Sequence, residues 1–140
     1  MAGVTLEQAQ KIIEVGLEHG RKNKLKPLGI AVLDPGGHLV AFARDNGTSY
    51  FRPHIAMAKA HGALGMGMGS RALVGRPDYF MYMLNAASDG KALNAPGGVI
   101  IRDKAGEILG AVGVTGDVSD RDEDAAVAGI QAVGLVADTG

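Results

Sequence analysis

Apolar positions recur along this chain with two different periods. Leu6, Ala9, Ile12, Ile13 and Leu17 fall at helical spacing, while Glu7, Lys11, Glu14 and Glu18 hold the opposite side. That pattern predicts an amphipathic helix. Thr5-Leu6-Glu7-Gln8 opens it with a capping box, and fraying is expected between Gly20 and Lys26, ahead of Pro27. Leu28–Leu33 and Leu39–Ala43 are nearly continuous in apolar residues, which predicts strands covered on both faces. A second helix is expected from about Pro53 to Gly65, with the proline tolerated in its first turn. Leu93 to Gly116 then reads as a glycine-gated strand, a tight turn and another strand.

Ser119-Asp120-Arg121-Asp122 predicts an N-cap for a last helix, with Asp122, Glu123 and Asp124 in the first turn, where the dipole favours negative charge. Its apolar positions run from Ala125 to Val136, and the small residues Ala128, Gly129 and Ala132 are expected to let it lie close to a sheet.

The two strand pairs share a grammar. Gly29 and Gly98 each open an apolar run, Asp34 and Asp103 follow five positions later, and Gly37 and Gly106 three after that. In D-x-x-G the carboxylate can accept from turn amides while glycine supplies a positive φ at the exit. Two similar hairpins are therefore predicted. The order helix, hairpin, helix, connection, hairpin, helix implies an α+β fold: an antiparallel-dominated sheet with helices on both faces, in three α-β-α layers.

Composition narrows the function. At 140 residues and 14.4 kDa the chain forms one domain over 1–140, and a net charge of −1 with a pI near 6.4 argues against nucleic-acid binding. Cysteine is absent, which removes disulfides, thiol nucleophiles and thiolate metal sites. MAGVTLEQAQK lacks a basic segment followed by an apolar one, and no apolar run approaches the roughly 20 residues of a membrane span. A soluble, cytoplasmic protein without a membrane partner is expected. Twenty-two glycines, roughly twice the average share of about 7%, sit inside patterned segments and suggest close backbone packing or backbone contact with a ligand.

Five of the six methionines and five of the six aromatic residues lie between Tyr50 and Met83. Such a stretch suits a ligand, a partner subunit or the core beneath a long connection. On the second helix His54, Met57, Ala58, His61 and Gly65 share one stripe, with Lys59 about 140° from His54. One pocket should not use both the histidines and the lysine. H-E-x-x-H, G-x-S-x-G and G-x-x-x-x-G-K-[ST] are absent, and the four histidines are too scattered to predict a metal site.

Several motifs in series carry a family resemblance. These are D-P-G-G-H-L-V-A-F-A-R-D from Asp34, K-A-x-x-A at Lys59 to Ala63, P-G-G-V-I-I at Pro96 to Ile101, and G-A-V-G-V-T-G-D from Gly110 followed by Asp122-Glu123. From about Thr5 to Val136 the chain resembles the GlcG/HbpS family, the haem-binding-protein and PduO C-terminal-domain-like group. The family's I-P-G-G-x-P-I is represented by Ala95 to Ile101 without its second proline. The resemblance implies a profilin-like sandwich and a homo-oligomer, often an octamer. Some relatives bind haem or related tetrapyrroles, and others belong to operons for glycolate, diol or aromatic breakdown. No iron ligand is carried over by position.

Three functional readings follow. In the first, a haem or similar planar ligand sits in the Met- and aromatic-rich middle with His54 or His61 as iron ligand. In the second, an isomerase, hydratase or lyase acts on a small carboxylate or oxygenated metabolite. Backbone amides at Gly97-Gly98 and the cations Arg44, Lys59 and Arg71 would then bind it, with Lys59, Asp122 or Glu123 as acid-base groups. In the third, the apolar middle is a subunit interface of a structural or accessory protein.

Overall fold

The computed structural model describes residues 2–140. Helix α1 spans Leu6–Lys22, strands β1 and β2 Gly29–Leu33 and Leu39–Arg44, and α2 Arg52–Met66. After a short 3-10 turn at Ser70–Leu73 come α3 (Asp78–Ala87), β3 (Gly98–Arg102), β4 (Ile108–Thr115), α4 (Ser119–Ala132) and β5 (Val136–Asp138). The capping box forms as the sequence predicts: Gln8 N–H donates to Thr5 Oγ1 at 3.1 Å, and Thr5 N–H to Gln8 Oε1 at 3.0 Å.

All strand pairs are antiparallel, in the order β2-β1-β4-β3-β5. The repeated grammar becomes repeated structure. Asp34 Oδ1 accepts from the amides of Gly36 and His38, and Asp103 Oδ1 from that of Glu107. Gly37 and Gly106 have φ of 84° and 90°. Each hairpin also slips register just before its turn, at Val32/Leu33 and at Ile101/Arg102.

Alternation along the strands divides the core. Ile30, Val32, Val99, Ile101, Val112 and Val114 pack with α1 and α4, whereas Leu33, Ile100 and Ala111 pack with Ala60 and Ala63 of α2. Three layers result, with α2 covering most of the second face and the 3-10 turn packing beside it on β3. Its helix lies directly on main chain: a Cβ on Gly113 would stand 1.8 Å from the Ala56 carbonyl oxygen, and one on Gly98 2.1 Å from that of Lys59.

Several expectations are corrected. The connection after α2 contains α3 and the 3-10 turn, and the apolar tail of the last helix leaves it at Gly134, φ 76°, to become edge strand β5. Strand β2 is an edge and is only partly covered, so both-face burial holds for β1 and not for β2. The cap of α4 is Val118 and not Ser119, and no side chain caps the helix; Asp122 instead accepts from the Asp117 amide. Helix α4 does lie on the sheet, through Ala125, Ala126 and Ile130, but Gly129 faces α1 instead, since its Cβ would lie 2.5 Å from the Ile12 carbonyl oxygen. Arg102 holds β5 in place through Asp138 at 2.9 Å and also donates to the Gly106 carbonyl. No helix among the described residues is long and apolar enough to cross a membrane.

Candidate functional site

Helix α2 has two chemically different sides, as the angular separation of Lys59 from the histidines requires. Lys59 points down into the sheet and is 3% exposed. Its Nζ donates to the Val114 carbonyl at 2.9 Å and to Asp122 Oδ2 at 3.3 Å. Asp122, 1% exposed, uses Oδ1 to accept from the Asp117 amide at 2.9 Å. Burial pushes the Lys59 pKa down and the Asp122 pKa up, and in each case the partner's opposite charge acts against that shift. The pair is thus a closed, internally neutralised unit.

The other cations and acids named from sequence are distributed just as definitely. Arg71 grips Glu123 through Nε and Nη2 at 3.0 Å each and also pairs with Asp120, which raises its pKa. Arg44 stands exposed at the end of edge strand β2. Gly97 and Gly98 are buried, and the Gly98 amide donates to the buried Ser70 Oγ at 2.8 Å. The Gly98 amide expected to face an oxyanion is therefore already engaged. Lys59, Asp122, Gly97 and Gly98 do come together, with Lys59 Nζ only 2.9 Å from where a Gly97 Cβ would be. What forms there is packing; none of the four lines any of the described cavities.

Space lies on the outer side of α2. Two cavities, of about 320 and 220 Å³, share His61 and Gly65. The larger runs between α2 and the end of α3 with the loop that follows it, with Met66, Leu84, Lys91 and Ala92 on its walls. The smaller opens toward the first hairpin turn at Pro35, Gly36 and Gly37. Nothing lies within 4 Å of where a Gly65 Cβ would project. Together they make a trough across the helix with His61 at its middle.

His61 is half-buried, and its pKa is pushed down first by desolvation and then by the positive charge of Lys91. It is therefore a neutral imidazole near pH 7, the form that can bind a metal. His54 is different. It is exposed, its ring meets Phe51 edge-on at 6.0 Å, and it lines a separate cavity of about 480 Å³ with Ile55 and Leu93. The sequence stripe placed both histidines on one side correctly, but it did not reveal that they serve different hollows. Met66 and Leu84 belong to the methionine- and aromatic-rich middle expected to hold a ligand, whereas Lys91 was missed as a lining residue; nothing in S-D-G-K-A marks it as more than a turn residue.

A further cavity, about 350 Å³, opens between α1 and α4 beside His19, Asn23, Arg121 and Asp124. Asn23, Arg121 and Asp124 are exposed to solvent, and the hollow reads as a hydrated groove. Among the described residues, no cluster of three or more His, Asp or Glu is arranged to hold a metal ion.

The middle of the chain proves largely exposed. On α3 only Met81 is buried, while Tyr79, Tyr82 and Met83 are 68%, 74% and 63% accessible. Tyr50 and Phe51 are exposed as well. Most of these side chains therefore do not fill the core beneath the connection.

Known proteins with this architecture bear on these features. The model of the family HbpS-like, described as "Haem degrading protein HbpS-like", matches residues 4–131. No curated protein matches the chain in sequence. Among solved structures, PduOC in complex with heme is 20% identical, with a TM-score of 0.85 over 96% of this chain and 98% of its own. Protein ORFY of Klebsiella pneumoniae is 20% identical, with a TM-score of 0.87 over 96% and 92%. HbpS is 24% identical, with a TM-score of 0.81 over 96% and 92%. At these identities the likeness to solved structures establishes the fold.

Proposed function

This chain belongs to the HbpS-like family, and from that premise we propose that it binds haem or a related tetrapyrrole in the trough across α2, as a homo-oligomer. The observation that carries the reading is His61. A half-buried imidazole held neutral by its surroundings stands in the middle of a mainly apolar hollow, with open space beside Gly65. The residues fit the group: Met66 and Leu84 offer apolar walls for a flat ring, and His61 offers nitrogen for iron. Bound haem would supply an iron centre whose properties its axial ligand helps to set. The exposed Tyr79, Tyr82 and Met83 of α3 support self-association, because an apolar patch of this kind is usually covered by a partner.

Haemin titration followed at the Soret band tests the site. Wild type should show a saturable shift that His61→Ala abolishes or weakens by at least about tenfold, a loss of about 1.4 kcal/mol; His54→Ala should leave it unchanged. Because the His61 pKa lies below its ordinary 6.5, the shift should persist as pH falls through 6.5 and disappear only in more acidic solution, when the imidazole protonates. No shift in wild type, or an unaltered one in His61→Ala, removes this site. Light scattering should give a mass above that of one chain, and a monomer would remove the oligomer.

A further inference from the structure

We infer that Lys91 is an anion anchor for the trough, so that its occupant is a planar apolar molecule bearing a carboxylate arm and not an uncharged ring. This rests on the tetrapyrrole reading and specifies the chemistry of the same site.

Lys91 is an exposed lysine on the cavity wall, and it takes part in none of the ion pairs among the described residues. Lys59, Arg71 and Arg102, by contrast, are each neutralised by an acid of this chain. No aspartate or glutamate lines either half of the trough. The charge of Lys91 is felt at His61, which places the two groups within electrostatic reach across the hollow.

The loop that presents Lys91 is fastened, and this distinguishes it from a mobile surface lysine. The Lys91 amide donates to Ser88 Oγ at 3.2 Å, and the Gly90 amide to the Asn85 carbonyl at 2.7 Å. Asn85 Nδ2 donates to the Ala92 carbonyl at 2.7 Å. Ala92 itself is 2% exposed and seated against α2, its Cα 3.1 Å from where a Gly62 Cβ would be. The backbone of Lys91 is therefore fixed beside the trough, with its ammonium on a flexible stem. An imidazole at the centre and an unpaired cation on the wall recognise a molecule that coordinates in its middle and is anionic at its edge. A charge-assisted hydrogen bond to a carboxylate is the interaction such a lysine makes.

The test uses fluorescence titration of the intact protein with iron-free protoporphyrin and with its dimethyl ester, beside haemin absorbance. Lys91→Met keeps the apolar stem and removes the charge; Lys91→Arg restores the charge. The free diacid should bind wild type about five- to tenfold more tightly than the ester, in line with a partly exposed ion pair of about 1 kcal/mol. Lys91→Met should remove that advantage and Lys91→Arg should keep it. Raising the salt concentration should weaken the diacid and spare the ester. Equal binding of diacid and ester by wild type, or an undiminished advantage in Lys91→Met, overturns the inference while a His61-dependent Soret shift leaves the tetrapyrrole reading standing. Failure of wild type to bind either haemin or the diacid overturns both.

Discussion

Lys59→Met is expected to lower the free energy of unfolding by about 3–5 kcal/mol, the range for removing one member of a buried ion pair. The substitution retains most of the side-chain volume, so the loss is electrostatic. It leaves the Asp122 carboxylate, 1% exposed, without its cation, and the Val114 carbonyl without that donor. Burial already pushes the Asp122 pKa up, and the Lys59 charge is the largest influence opposing it. In the variant the folded-state pKa of Asp122 should therefore rise further above its unfolded value. A raised carboxylate favours folding below the unfolded pKa, and that contribution is lost as pH rises through the folded value. The variant should accordingly regain stability relative to wild type in acid and be weakest at neutral pH. Adding Asp122→Asn removes the stranded charge while keeping an oxygen for the Asp117 amide, and the double variant should recover more than half the loss. Urea unfolding of the four-protein cycle checks this. A Lys59→Met protein within about 1 kcal/mol of wild type would contradict a structural role for the pair.

The second large effect is expected at Gly113. A Cβ there would meet the Ala56 carbonyl oxygen at 1.8 Å and the Ala60 amide nitrogen at 3.1 Å, both main-chain atoms with no rotamer to change. Helix α2 must lift from β4 for alanine to fit. Gly113→Ala should therefore cost at least the upper part of the about 1–3 kcal/mol usual for overpacking, with loss of near-UV signal or of soluble protein. Gly65→Ala, on α2 itself, is the control. Its Cβ enters open space, so stability should hold or rise by about 0.5–1 kcal/mol from helix propensity, while haemin affinity falls as the trough narrows. Equal stability of Gly113→Ala and wild type would show that the helix does not rest on bare main chain.

These effects show which parts of the molecule are written locally. Both hairpins were legible because the Asp34–Gly37 and Asp103–Gly106 turns are built from residues within a few positions of one another. The helical wheel separated Lys59 from the histidines for the same reason, since angular position depends only on spacing. The partners of Lys59 and Arg71 were not legible. They lie 63 and 52 residues away, and cations that look free in sequence can be neutralised by the fold. Ser70 answers the Gly98 amide across 28 residues, so that donor also looked free. Strand β5 was hidden because Val133, Leu135 and Val136 continue a helical spacing while only the positive φ of Gly134 turns the chain away. Helix α3 escaped notice because Tyr79 and Tyr82 remain exposed and no side chain caps its start at Pro77.

The proposed placement of the ligand on the outer side of α2 leaves the lysine-aspartate pair beneath to hold that helix down. Amide NMR titration of the wild-type protein with gallium protoporphyrin, a diamagnetic stand-in for haem, separates the two sides of the helix. Shifts should concentrate at Gly37, His61, Gly65 and Ala92, leaving Gly98, Thr115 and Asp122 in place. Shifts centred on Gly98 and Asp122, with the His61 trough silent, would contradict it.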